Sequence, residues 1–239
     1  MSLFTVKLDY FCSSTYEGME SILRNIRTDL RLTMNGVISA SMREKGINYR
    51  MNFGVDILKI KEIAGKYEPG STLAEVLWKE DVREMKILAT MLYPSASLTK
   101  ETADRWVMGI SNQEIREQVC RNLFQEVAFA NLLVNEWTKD EDEKIRTTGY
   151  WLFARLCIIR SDVMNQIEID QLLGDAVNDL KSESLLLRQS ALNALKFYGR
   201  ISSLKAETVL QRVSVFENSA NLLEKEMHDQ LLFEFGYTG

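Results

Sequence analysis

Four helical stretches of this chain have an apolar residue followed directly by arginine near their start. The four pairs are Val82-Arg83, Ile115-Arg116, Ile145-Arg146 and Leu187-Arg188, and their arginines are 33, 30 and 42 residues apart. A loose period of this size leaves room for two helices in each unit. It is typical of HEAT-like α-solenoids, in which one unit cannot bury its apolar face without its neighbours.

The stretch from Asp140 to Arg160 shows the helical periodicity most clearly. It opens on acidic residues, which the positive end of a helix dipole favours. Small or apolar residues then recur at spacings of four, three, four and three, at Ile145, Gly149, Leu152, Leu156 and Ile159. This spacing predicts a helix with one buried stripe.

Helix-breaking residues are scarce along the whole chain. Only 2 prolines and 12 glycines occur in 239 residues, and few β-branched runs alternate with polar residues. We therefore predict an all-α fold, a HEAT-like α-solenoid that forms a curved array of antiparallel helix pairs. It would be one domain over residues 1–239, with an N-terminal helical cap in residues 1–67 and about five helix pairs in residues 68–239.

Polar and glycine breaks divide the chain into its predicted helices. The pairs are 72–79 with 81–92, 99–108 with 112–124, 126–138 with 142–160, 167–180 with 184–200, and 205–218 with 221–235. In the cap we expect irregular structure over residues 1–14 and a helix that stops at Gly46, a suitable C-terminal cap residue. Gly54 would form a turn. Ser71 would be the N-cap of the predicted helix 72–79.

The charge of the chain is unevenly spread. The formal net charge is −5, but residues 1–67 carry 10 Lys and Arg against 7 Asp and Glu, whereas residues 68–239 carry 19 against 27. This balance gives no support for nucleic-acid binding by bulk charge. A local basic groove would have to be built from individual arginines.

The cysteines and the single histidine do not form a metal site. Cys12, Cys120 and Cys157 are far apart and lack C-x-x-C spacing, and His228 is the one histidine. Nucleotide-binding and metalloprotease motifs are also missing. We expect free thiols, no metal and no cofactor.

The sequence also bears on localisation. The start of the chain lacks a basic leader followed by an apolar core. The longest apolar segment, residues 150–159, is interrupted by Arg155 and is far shorter than the ~18 residues that a spanning helix needs. We expect a cytoplasmic monomer that does not associate with membranes.

Three segments resemble a known family. LWKEDVREMKILATMLY, from Leu77 to Tyr93, is similar to the segment of the DNA alkylation repair family, the AlkD-type HEAT-like repeat DNA glycosylases, in which L-W is followed by R-E-x(4)-A. MREKGINYRMNFGV, from Met42 to Val55, resembles the approach to the F-x-G-[IV] turn of that family, and residues 104–124 fit its next pair. The resemblance covers about residues 40–200 and depends on the order and spacing of these segments.

The resemblance implies a basic concave cleft that holds duplex DNA and excises N3- or N7-alkylated purines. The family's W-D-x-x-D falls on residues 113–117, so that Gln113 replaces the tryptophan and Glu117 replaces the final aspartate. Glu117 is therefore the implied catalytic carboxylate. It would stabilise the positive charge that develops on the sugar or would position water. Whether the chain is an enzyme stays open.

The remaining site residues come from the apolar-arginine pairs and from the family positions in the cleft. Thr147 replaces an arginine, Asn193 replaces a second cleft tryptophan, and Lys196 keeps a positive charge where the family often has arginine. The residues implied to bind DNA are Arg83, Gln113, Arg116, Arg146, Thr147, Arg188, Asn193 and Lys196. For the arginines, internal pairing with carboxylates is an equal alternative. The alternative function is a non-catalytic HEAT-repeat scaffold that binds DNA structures or a protein partner.

Overall fold

A computed structural model describes residues 3–47 and 49–236, with side chains from Gly18 onward. The described residues contain thirteen α-helices and no strand beyond one isolated bridge. The predicted all-α fold is therefore confirmed. Between Pro94 and Ser95 the chain divides into two compact units. The organisation as one domain with a cap over residues 1–67 stays a prediction.

The first unit contains five helices, and α1 packs on α3, α3 on α5, and α4 on α5. They are α1 (Leu3–Leu32), α2 (Gly36–Glu44), α3 (Ile57–Ala64), α4 (Ser71–Lys79) and α5 (Arg83–Leu92). Because α1 begins at Leu3, the expectation of irregular structure was wrong over residues 3–14. No proline or glycine interrupts the chain before Gly18, so the helix can run without a break.

Local signals in the first unit set several of these boundaries. α2 ends before Gly46, which has a φ of 77° as the predicted cap requires. Asn35 begins the same helix, because its side chain accepts from the backbone N–H groups of Val37 and Ile38. Ser71 was predicted as the N-cap of α4, which is wrong by one residue. Gly70 holds that position without a side-chain bond.

The second unit contains eight helices, in four pairs that match the prediction within a few residues. They are α6 (Lys100–Met108), α7 (Gln113–Asn122), α8 (Ala130–Trp137), α9 (Glu143–Ile159), α10 (Ile169–Asp179), α11 (Leu185–Gly199), α12 (Ser203–Val213) and α13 (Leu222–Gly236). We call α7, α9, α11 and α13 the second-helix row, because each is the second member of its pair. Neighbouring members of this row pack on one another, and α10 packs on α12.

Apolar side chains of the second-helix row fill the interior of the second unit. Val119, Leu152 and Leu195 are completely buried. The rings of Phe153 and Tyr198 stack across α9 and α11, with centroids 5.9 Å apart. This packing places α7, α9 and α11 side by side. It therefore determines which of their polar side chains lie on the helix faces that are not packed. Among the described helices, none is both long and apolar enough to cross a membrane.

Candidate nucleic-acid interface

The arginine and glutamate that begin α5 are buried and hold a turn of the backbone. Glu84 is 0% exposed, and its carboxylate accepts from the N–H of Phe53 at 3.0 Å and from that of Val55 at 3.2 Å. Arg83 is 2% exposed, and its Nη1 donates to the carbonyl of Val55 at 2.7 Å and to Glu84 at 3.0 Å. The R-E motif therefore joins α5 to residues 53–55. The contact of Arg83 with DNA stays a prediction. In this conformation Arg83 has almost no exposed surface with which to contact DNA.

The turn that the R-E motif holds requires glycine. Gly54 has a φ of 68°, and a Cβ at this position would lie 2.1 Å from the carbonyl oxygen of Asn35. The backbone of Asn35 in turn donates to the carbonyl of Phe53 at 2.8 Å. The close approach of the two chain segments explains the glycine in N-F-G-V, residues 52–55.

Three predicted site residues meet at the start of α7. Arg116 is 2% exposed, and its Nη1 donates to Gln113 Oε1 at 2.7 Å. Its Nε donates to Thr148 Oγ1 on α9 at 3.1 Å. The amide of Gln113 then donates to Glu117 Oε1 at 3.1 Å. Burial lowers the pKa of the Arg116 guanidinium, although nearby charges, including the Glu117 carboxylate, oppose this shift.

This chain of hydrogen bonds sets the orientation of a half-buried carboxylate. Arg116 is fixed by burial and by Thr148, so it holds one end of the Gln113 amide in place. The other end of that amide points at Glu117. A carboxylate held in this way needs little rearrangement to face a developing positive charge, which is the property that electrostatic catalysis requires.

Two of the predicted DNA-binding arginines are engaged inside the protein. The Nε of Arg146 donates to Asp179 Oδ2 at 2.6 Å, and the hydroxyl of Tyr150 donates to the same oxygen at 2.6 Å. Burial, and then the bond to Asp179, raise the pKa of Tyr150. Arg188 Nη1 donates to the carbonyl of Ser182 at 2.6 Å. Arg146 thus shows the internal pairing with a carboxylate that the sequence left open, whereas Arg188 bonds to a backbone carbonyl and its Nε is buried without a hydrogen-bond partner among the described residues. The contact of both arginines with DNA stays a prediction.

The other predicted residues do not join the group on α7. Thr147 is fully buried, and its hydroxyl has no hydrogen-bond partner among the described residues. Asn193 is half-buried on α11. Lys196 lines an open depression of about 840 Å³ together with three carboxylates of α13, those of Glu226, Asp229 and Glu234. Surrounding carboxylates lower the attraction of Lys196 for a phosphate.

Sequence reasoning missed two arginines beside this group. Arg155 on α9 is half-buried, and its Nε donates to Gln125 Oε1 at 2.9 Å. Burial, followed by the like charge of Arg121 on α7, lowers the pKa of Arg155. In the described part of the chain, neither arginine forms an ion pair with a carboxylate. The pair is therefore a local concentration of positive charge in an acidic half of the sequence.

Helical spacing could have placed each of these arginines beside a predicted site residue on its own helix. Arg121 follows Gln113 and Glu117 at intervals of four residues, which places the three side chains along one side of α7. On α9 the same interval links Thr147, Trp151 and Arg155. Trp151 is half-buried and supplies an aromatic ring one turn from Arg155. We call Glu117, Arg121, Trp151 and Arg155 the α7–α9 face.

Comparison with known proteins identifies the family. The sequence profile described as DNA alkylation repair enzyme matches residues 26–223, which is most of the chain. The chain belongs to this DNA alkylation repair enzyme family. The match includes both the R-E motif at residues 83–84 and the Q-E-I-R-E segment at residues 113–117.

A solved structure shows the same fold. It is described as a new family of proteins related to the HEAT-like repeat DNA glycosylases with affinity for branched DNA structures. The TM-score is 0.73 at 16% identity, and the likeness covers 88% of this chain and 93% of that one. The predicted HEAT-like fold is thus confirmed for this member of the DNA alkylation repair family.

Other comparisons add little. A designed armadillo repeat protein is similar with a TM-score of 0.37 and 10% identity over 75% of this chain and 94% of that one. No curated protein sequence matches the chain. Within the described residues, no group of three or more histidine, cysteine, aspartate or glutamate side chains could hold a metal ion.

Proposed function

We propose that this protein binds duplex DNA through the α7–α9 face and excises N3- or N7-alkylated purines. The observation that carries the proposal is the chain of hydrogen bonds from Arg116 through Gln113 to Glu117. It holds a carboxylate at the position where the family pattern has its aspartate. Membership of the DNA alkylation repair enzyme family supplies the class of substrate.

The chemistry requires little of the protein beyond a placed negative charge. A purine alkylated at N3 or N7 carries a positive charge, so it leaves as a neutral base when the C1′–N bond breaks and takes the bonding electrons. The sugar keeps the positive charge as an oxocarbenium ion. Glu117 would stabilise this ion electrostatically while water adds to C1′ and loses a proton.

The other members of the face would hold the DNA. Arg121 and Arg155 carry like charges close together, and a phosphate group between them would relieve their repulsion. Trp151 offers an aromatic surface on the same side of α9. A tryptophan ring attracts a cation by roughly 0.5–2 kcal/mol, which favours an alkylated base over a neutral one.

The excision step is tested with methylated duplex DNA under single-turnover conditions. We expect release of 7-methylguanine and 3-methyladenine, slowed roughly 100-fold in Glu117→Gln, which keeps the hydrogen bond to Gln113 but loses the charge. Glu141→Gln is the matched control, because Glu141 is exposed and lies before α9. Equal rates for wild type and Glu117→Gln would disprove the catalytic role of Glu117.

The binding step is tested separately by titrating unmodified duplex DNA at two salt concentrations. Arg121→Ala and Arg155→Ala should each weaken binding and lower the salt dependence by about one counterion. Lys100→Ala changes the net charge equally but removes a lysine already paired with Asp104 and Glu136. If that control weakens binding as much as the arginine variants do, the α7–α9 face is not the interface.

A second function is favoured by the position of Gln113. Where the family pattern has tryptophan, this chain has an amide that is committed to Arg116 and Glu117. The α7–α9 face could therefore bind a DNA structure without releasing a base, as befits similarity to a protein with affinity for branched DNA. Salt-sensitive binding without base release would establish this function. If the protein shows neither DNA binding nor base release, the remaining function is a scaffold for a protein partner.

We also propose that the protein acts as a cytoplasmic monomer. Free thiols support a reducing compartment, since Cys120 and Cys157 are both buried and unbridged. Light scattering at several concentrations tests the monomer, and cell fractionation tests the compartment.

A further inference from the structure

The first unit contains a small basic cavity that lies apart from the α7–α9 face. Its volume is about 270 Å³. Three arginines line it, at Arg27 and Arg31 on α1 and at Arg50 before the N-F-G-V turn. Its other lining residues are Met51, Phe53, Glu80, Asp81, Val82 and Met85. The cavity thus combines positive charge with an apolar surface.

Three arginines and two carboxylates, Glu80 and Asp81, line the cavity, so its lining carries one positive charge in excess. Arg27 Nη2 lies 2.8 Å from Glu80 Oε1, so this pair is neutral. Asp81 interacts electrostatically with Lys86. Arg31 and Arg50 are exposed, and neither forms an ion pair in the part of the chain that the structure describes. The guanidinium groups of Arg31 and Arg50 can therefore bind an anion beside the cavity.

Hydrogen bonds hold the backbone that carries the apolar part of the cavity. Met51 and Val82 form a parallel bridge, and the backbone N–H of Arg83 donates to the carbonyl of Met51 at 3.1 Å. Phe53 is fixed by its N–H bond to the buried carboxylate of Glu84. The same contacts hold both the N-F-G-V turn and the backbone of the apolar lining. This part of the cavity therefore needs little ordering when a ligand binds.

We propose that this cavity binds one unpaired nucleotide of a single DNA strand. Arg31 and Arg50 would contact its phosphate, and the base would lie against Phe53 and the neighbouring apolar side chains. The volume is slightly below the ~300–1,000 Å³ of pockets that enclose drug-sized ligands, so it suits one base rather than a base pair. Cationic side chains beside an aromatic ring are the usual means of holding single strands.

The test is fluorescence anisotropy with a labelled ten-residue thymidine oligonucleotide. Arg31→Gln/Arg50→Gln should bind at least tenfold more weakly than wild type. Arg43→Gln/Lys61→Gln is the matched control, because it removes the same charge from exposed positions of the first unit that do not line the cavity. If both double variants bind equally weakly, bulk charge explains the binding and the site is refuted.

A second variant separates the base from the phosphate. Phe53→Leu keeps most of the apolar volume but removes the ring, so it should weaken oligonucleotide binding about fivefold or more. Competition by inorganic phosphate should require far higher concentrations than competition by thymidine oligonucleotide. Displacement by phosphate at a similar concentration, with Phe53→Leu unchanged, would make the cavity a simple anion site and overturn the proposal.

Failure of this site is distinguishable from failure of the proposed function. The cavity variants are read out with a single strand, whereas the α7–α9 face is read out with duplex DNA and base release. Melting curves of each variant show whether the fold is intact. Binding of the single strand that depends only on Arg121 and Arg155 would also refute the cavity.

Discussion

At the scale of single residues, two arginines five positions apart on α7 have different environments. Arg116 is 2% exposed and bonded to Gln113 and Thr148, whereas Arg121 is exposed. A turn of helix holds 3.6 residues, so five residues rotate the side chain by about 140°. The apolar-arginine pattern that marks the repeats therefore selects arginines beside the buried stripe.

The buried R-E motif leads to a prediction about stability. Glu84→Gln should destabilise the first unit by about 3–5 kcal/mol, because it leaves the 2%-exposed guanidinium of Arg83 without its buried counter-charge. Urea unfolding measures this change. The control is Glu62→Gln, since Glu62 is 62% exposed in its pair with Lys59 and should change stability by less than about 1 kcal/mol. Equal effects would mean that the buried pair is not stabilising.

At the scale of elements, the helix pairs depend on close approach as well as on periodicity. A Cβ at Gly149 of α9 would lie 2.7 Å from the backbone nitrogen of Thr138 and 2.9 Å from the carbonyl carbon of Trp137. α8 and α9 are thus packed so tightly that only glycine fits. The sequence places Gly149 correctly on the buried stripe, but it does not show which backbone the glycine contacts.

Gly149→Ala should therefore lower the free energy of unfolding by about 1–3 kcal/mol, because backbone cannot move aside as a flexible side chain can. Thermal or urea unfolding measures the change. Gly174→Ala on α10 is the matched control, since no atom lies within 4 Å of its added Cβ. That control should be neutral or stabilising by up to ~1 kcal/mol, because alanine favours helix. If Gly149→Ala has the same free energy of unfolding as the wild type, α8 and α9 can move apart enough to accept the added Cβ.

At the scale of the whole molecule, three acidic side chains have raised pKa values, which favour their neutral forms. Burial raises the pKa values of Cys120 and Cys157 to about 12 from 9.0. Burial and a hydrogen bond to Asp29 raise that of Tyr67 to about 12 from 10.0. In each case the folded state holds its proton more tightly than the unfolded state does.

The protein should therefore lose stability as the pH rises from about 9 towards 12. Each raised pKa contributes stability that is fully present below the unfolded value and is lost as the pH passes towards the folded value. For a buried thiol the loss is about 1.4 kcal/mol per pH unit within that window. Urea unfolding from pH 8 to 11 tests this, with Cys120→Ala/Cys157→Ala expected to flatten the slope. A slope unchanged in that variant would exclude the thiols as the cause.

The sequence alone is enough to predict the fold class, the four helix pairs of residues 95–239 and the glycine turns of residues 1–94. These depend on local rules, because helical periodicity, N-caps and positive φ values involve residues a few positions apart. The segments that resemble the family also pointed to the family that the comparison then showed.

Which charges are neutralised and which remain available depends instead on tertiary contacts. Arg83, Arg146 and Arg188 find partners 28, 33 and 6 residues away, and Arg116 finds one on the next helix of its row. Spacing along one helix cannot reveal the partners of Arg83 and Arg146, because these come from distant segments packed against the helix. For the same reason, two features became visible only in three dimensions. They are the proximity of Arg121 to Arg155 and the cavity lined by Arg27, Arg31 and Arg50.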